Sequence, residues 1–134
     1  MNKDREHVAR NENELSKIIL DCCFKIHTVL GPGLLESVYE EALVYELRKK
    51  NVMFERQVGI PVSYETITLE LGFRADLVVE NKVIIELKSV DTLKPIHKKQ
   101  LLTYLKISDK KLGLLINFNA EMLKDGIVRI VNKL

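Results

Sequence analysis

A chain of 134 residues, 46% hydrophobic and 30% charged, is long enough to bury a core as one domain and too polar to be a membrane bundle. Its net charge of +2 is too small to indicate a nucleic-acid partner by itself. No segment is apolar for long enough to span a bilayer, and the opening Met1-Asn-Lys-Asp-Arg-Glu-His7 lacks the apolar run of a signal peptide, so the expected compartment is the cytoplasm.

Residues 1–13 are polar and read as a flexible N-terminus, leaving 14–134 as the expected domain. From Glu14 to Leu30, apolar residues at Leu15, Ile18, Ile19, Cys22, Ile26, Val29 and Leu30 form a helical stripe. Cys22 and Cys23 are the only cysteines; neighbours on a helix point about 100° apart, so they predict reduced core thiols rather than a bridge. Gly31-Pro32-Gly33 ends this helix, and too few glycines follow for a nucleotide loop. A second helix runs to about Lys50 with Leu35, Val38, Tyr39, Ala42, Leu43 and Leu47 inside.

The period then changes to two. Phe54, Arg56, Val58 and Ile60 are expected on one face of a strand. Ser63 to Leu71 is β-rich, and an edge strand near Thr66 to Leu71 is expected to suit pairing with a second copy; Gly72 is expected to break the segment. Phe73 to Lys88 reads as a hairpin with its turn at Glu80-Asn81-Lys82. Pro95 suits the first turn of a helix reaching about Ile107. Lys111 to Phe118 is an apolar, buried-type strand, and Gly126 to Val131 fits either a strand or a short helix. One helix between the strand at Ile84-Ile85 and the strand at Leu112–Ile116 makes a right-handed crossover, so those two strands are expected to be parallel.

The hairpin carries unexpected charge. With the turn centred on Asn81, Asp76 falls opposite Glu86, while Glu86 and Lys88 share a face. Two carboxylates and an ammonium would converge, and like charges side by side cost stability unless something binds them. A divalent cation is the simplest such partner. Hydrolysis of a phosphodiester needs a cation to offset developing charge, an activated water and a phosphate held in line. Mg2+ or Mn2+ takes hard oxygen ligands, here Asp76, Glu86 and the carbonyl of Leu87, and Lys88 stands ready to orient a water. Between Lys88 and Lys111, seven lysines face Asp91 and Asp109, a segment suited to a polyanion beside a metal or, more plainly, to a solvated helix face. Lys94, His97, Lys98 and Lys99 are candidates for contacts with a nucleic-acid backbone, as is Arg74, two residues before Asp76. Glu36 begins the second helix, and Gln100 and Tyr104 are spaced to share a face of the third.

These residues carry a resemblance. Gly33-Leu-Leu-Glu36-Ser-Val-Tyr39 resembles the signature of the GxxExxY proteins, over about Leu15 to Val131. That family is grouped with the PD-(D/E)XK nuclease superfamily, close to the RecB-like nucleases. The superfamily pattern falls on Glu36, Asp76, Glu86-Leu87-Lys88 and Gln100-Leu-Leu-Thr-Tyr104, in order; Ala75 rather than proline precedes the aspartate. The resemblance implies an α/β, restriction-endonuclease-like αβββαβ core, a mixed central sheet flanked by helices, and Mg2+-dependent cleavage of DNA or RNA. In it Glu36, Asp76 and Glu86 would hold the metal, Lys88 would help activate water, and Gln100 and Tyr104 would orient the lysine or the phosphate. The alternative is a non-catalytic module binding nucleic acid or a protein partner on the same fold. A small-molecule enzyme has less support, because no cofactor fingerprint is present.

Overall fold

The computed structural model describes residues 8–134, with Leu71 described by its backbone alone. Residues 1–7 of the expected flexible segment lie outside the described residues. Helix α1 spans Glu12–Leu30, slightly longer than its apolar stripe, because Asn11 and Glu14 form a reciprocal capping box at its start. Helix α2 spans Glu36–Lys49. Strands β1 (Phe54–Tyr64), β2 (Ile67–Val79) and β3 (Val83–Lys88) follow, then helix α3 (Pro95–Ser108), β4 (Leu112–Asn117), a 3-10 turn (Leu123–Gly126) and β5 (Ile127–Val131).

The sheet has five strands in the order β1-β2-β3-β4-β5 among the described residues. Every neighbouring pair is antiparallel except β3 and β4, which run parallel across the α3 crossover. Those two strands are buried on both faces, as expected for the centre of an α/β layer. Leu77, Val79, Val83, Ile85, Leu87, Leu114 and Ile116 face α1 and α2. On the opposite face, Val78, Ile84 and Leu115 pack against Leu101 and Leu105 of α3. The molecule is thus three-layered, helices over both faces of a mixed sheet. Cys22 and Cys23 are buried and unbridged in the first core.

Three expectations need correction. Gly72 does not end a strand; β2 runs through it, and a Cβ there would collide with the Ile60 carbonyl oxygen, so glycine serves the close approach of β1 and β2. The segment 63–71 is not one strand either: it straddles a two-residue turn at Glu65-Thr66, with Tyr64 paired to Ile67. Finally, the strict alternation expected from Phe54 to Ile60 fails. Phe54 packs toward the α1–α2 core, whereas Val58 and Ile60 pack toward α3. Gln57 lies between them with φ of 49°, a left-handed conformation that turns the strand over. β2 makes the same change, with Ala75 facing α3 and Leu77 facing α1 and α2. Of the two options left open for Gly126 to Val131, the strand holds: β5 fills Ile127–Val131, and the 3-10 turn before it ends at Gly126.

Candidate active site

The β2–β3 hairpin positions the acids. Its paired residues are Val79 with Val83, Val78 with Ile84 and Leu77 with Ile85, around a turn in which Glu80 and Asn81 take positive φ. The next rung in this register would join Asp76 to Glu86. There the side chains replace the backbone ladder. The Asp76 N–H donates to Glu86 Oε2 at 3.0 Å, and the Leu87 N–H donates to Asp76 Oδ2 at 2.8 Å. Each carboxylate thus fastens the opposite strand.

Holding both acids at this rung has an electrostatic cost. Glu86 is pushed up to about 7, first by burial and then by the charge of Asp76. Lys88 lowers it and Glu36 raises it, so both lie within electrostatic reach. Glu86 and Lys88 lie on the α3 face of β3, because Ile84 does. Tyr104 of α3, half-buried and stacked on Phe73, lies within electrostatic reach of Glu86. Its hydroxyl is pushed up by burial and then by Glu86. Gln100, one turn earlier, is exposed.

Backbone direction bears on Leu87. The Phe118 N–H donates to the Lys88 carbonyl, which therefore points toward β4. Successive carbonyls of a strand point opposite ways, so that of Leu87 points toward Asp76, as its own N–H does.

Glu36 approaches from α2. Its Oε2 accepts from the Ser89 N–H at 3.3 Å, one residue beyond Lys88. Ser89 Oγ in turn donates to the Leu34 carbonyl at 2.6 Å. The loop before α2 has its own fastening. Tyr39, fully buried and stacked on Phe118, donates to the Gly31 carbonyl at 2.6 Å and accepts from the Leu34 N–H at 3.1 Å. Gly31 and Gly33 have φ of 71° and 97°, which explains both glycines. The Gly33, Glu36 and Tyr39 spacing is thus a turn, an acid and the hydroxyl that closes the turn.

Among the remaining candidates, His97 stands at the start of α3, its Nδ1 accepting from the Lys94 N–H at 3.1 Å. Burial, Lys88 and Lys94 all lower its pKa, in that order. Lys94, Lys98 and Lys99 are exposed on the same end of α3. Arg74 is exposed and donates to the Gln57 carbonyl at 3.4 Å. Two residues before Asp76, it would share that acid's face under strict alternation, which breaks between Ala75 and Leu77.

Three polar residues escaped the reading of the sequence. Glu40 is only 8% exposed and is held by Arg56 and Gln57 of β1. Gln57 also reaches Asp76 Oδ1, at 3.4 Å. Asn117, at the end of β4, accepts from the Val90 N–H and donates to its carbonyl, pinning the loop after Lys88. Nothing in a Glu40-Glu41 pair on a helix, or an asparagine ending an apolar run, separates these from surface residues.

Whether a divalent cation fits can be judged from the donors. Asp76 and Glu86 are adjacent, hard and mutually repelling, and Mg2+ needs only one or two protein carboxylates besides its waters. Among the described residues, no three acidic, histidine or cysteine side chains form one metal-binding group. The fit is therefore to a sparse, two-carboxylate site with Glu36 standing off at Ser89.

Comparison with known proteins bears on the fold and the family. The crystal structure of SSO0001 has a TM-score of 0.54 at 20% identity, covering 99% of this chain and 74% of that one. An alkaline exonuclease (LHK-Exo) from Laribacter hongkongensis has a TM-score of 0.48 at 13% identity, covering 94% and 73%. No curated protein matches. The α/β core, with α2 as its first helix, is restriction-endonuclease-like. A family model described as PD-(D/E)XK nuclease superfamily matches residues 13–130, nearly the whole chain. The chain belongs to the PD-(D/E)XK nuclease superfamily.

Proposed function

We propose that this chain is a divalent-metal-dependent nuclease that hydrolyses phosphodiester bonds of DNA, or of RNA, and that within its superfamily it is a RecB-like GxxExxY protein. Residues 14–134 act as one domain in the cytoplasm, and the β1–β2 arm offers an edge for a second copy. The observation that carries the reading is the crossed pair of bonds between Asp76 and Glu86, which holds two repelling carboxylates at one rung beside Lys88.

In this reading Asp76, Glu86 and the Leu87 carbonyl hold Mg2+ or Mn2+, and Glu36 adds an acid from α2. When bound, the cation offsets charge on the phosphate and makes a water easier to deprotonate. Lys88 offers a compact charge and rotatable donors to the attacking water. Tyr104 and Gln100 orient Lys88 or the phosphate. Lys94, His97, Lys98, Lys99 and Arg74 hold the nucleic-acid backbone, fixing its path without reading sequence.

Glu36, whose Oε2 is engaged by the Ser89 N–H, favours the second reading, a non-catalytic nucleic-acid-binding or partner-binding module. Purified parent, Asp76→Asn and Lys88→Ala chains, incubated with labelled DNA and RNA in Mg2+ or Mn2+, separate the two. The nuclease predicts cleavage that needs metal and is lost in both variants while their circular dichroism is kept. Undiminished cutting by both variants defeats the residue assignment. No cleavage by the parent, with no heat of Mn2+ binding, leaves the module.

A further inference from the structure

We propose that Gln57 is a positioning residue for Asp76, clamped by a relay from Arg56 through Glu40; the proposal rests on the nuclease reading above. Seven non-glycine residues among those described have positive φ, and six lie at turns, a helix end or the C-terminal end. Gln57 alone sits inside a strand. A conformation that L residues rarely adopt persists in a strand only where its surroundings impose it, and such outliers gather at functional sites.

The surroundings are specific. Gln57 Nε2 donates to Glu40 Oε1 at 2.9 Å and, at the long end of hydrogen-bonding distance, to Asp76 Oδ1 at 3.4 Å. An amide nitrogen carries two hydrogens, so one group serves both acceptors. Both partners are carboxylates, which only accept when ionised, so the nitrogen rather than the oxygen must face them. Glu40 cannot drift, because it is nearly buried and its other oxygen accepts from Arg56 Nε at 3.0 Å. Arg56 is braced by Glu41, which accepts from Nη2 at 2.6 Å. Helix α2 thereby fixes a donor on β1, and that donor addresses β2.

Its target is the informative part. Asp76 Oδ2 accepts from the Leu87 N–H and Oδ1 from Gln57, so each oxygen keeps one accepting direction for a ligand. Each carboxylate oxygen accepts along two directions. Gln57 takes one direction at Oδ1 and leaves the other, setting the rotation of the carboxylate. Partners behind a ligating group commonly change metal affinity 10- to 100-fold, to order of magnitude.

The test uses Gln57→Asn and Gln57→Gly in the full chain. Asparagine and glycine both tolerate the left-handed backbone, and neither reaches both carboxylates. Mn2+ affinity is measured by calorimetry, the Mn2+ half-saturation of cleavage on a labelled oligonucleotide, and the urea midpoint in EDTA. We expect both variants to keep the parent's urea midpoint while Mn2+ affinity and half-saturation weaken by about tenfold or more. Affinities equal to the parent's overturn the proposal while leaving a cutting parent's nuclease reading intact. A midpoint that falls in both variants overturns it in favour of a purely structural hydrogen bond. A parent that neither binds Mn2+ nor cuts overturns the proposal and the nuclease reading together.

Discussion

Replacing Glu86 by glutamine should remove a pH dependence from the stability of this chain. The Glu86 carboxyl titrates at about 7 when folded, against an ordinary 4.5, with burial the larger cause and Asp76 the second. Between those values the folded chain holds a proton that the unfolded chain has released. The free energy of unfolding therefore falls as pH rises from 4.5 to about 7 and levels off beyond. The stabilisation is fully present only below the lower value. Each pH unit across that window is worth about 1.4 kcal/mol, so the carboxylate costs the metal-free protein about 3 kcal/mol above neutrality. Glu86→Gln keeps an oxygen for the Asp76 N–H but does not ionise. In EDTA the urea midpoints of parent and variant should lie close together at about pH 4 and separate by about 1–2 M at about pH 8, with the variant more stable. Adding Mg2+ should then raise the parent's midpoint and leave the variant's nearly unmoved, because ligand binding stabilises only the chain that binds it. Parallel profiles across this range would refute the idea that burial and crowding raise this acid.

Two further variants test other parts of the molecule. Tyr39→Phe deletes the hydroxyl that joins Gly31 to Leu34 and should cost about 1–3 kcal/mol in chemical denaturation. Chymotrypsin should also cut at Leu34 or Leu35 faster in that variant, and an unchanged digestion pattern would mean the loop stands without its tie. Replacing Lys98 and Lys99 together by glutamate should weaken DNA binding regardless of sequence and flatten the dependence of log affinity on log salt by about two, read from anisotropy titrations at several salt concentrations. An unaltered salt dependence would remove those lysines from the nucleic-acid interface.

Much of the architecture was legible because it depends on short-range pattern. The turn at residues 80–82 fixes the hairpin register, and register brings Asp76 to Glu86. A single helix between β3 and β4 dictates their parallel pairing. What stayed hidden depends on long-range placement. Glu40 looks like any helix glutamate until β1 folds against α2 and buries it, and its partners are 16 and 17 residues away. The left-handed turn at Gln57 has no local signal, since glutamine has no preference for that conformation, and alternation read through it put Phe54 with Val58. Gly72 misled in another way. Glycine breaks strands on average, yet here it is what permits two strands to approach.

Asp76 and Glu86 are buckles as well as acids, since each carboxylate closes on an amide of the facing strand. An alanine at either position would unbuckle the mouth of the hairpin along with discharging it, and a dead enzyme would then say little about chemistry. Asparagine and glutamine keep a carbonyl for the amide while discarding the charge. Inactive versions of this protein, for trapping a bound substrate or for crystallisation, are therefore best made as amides.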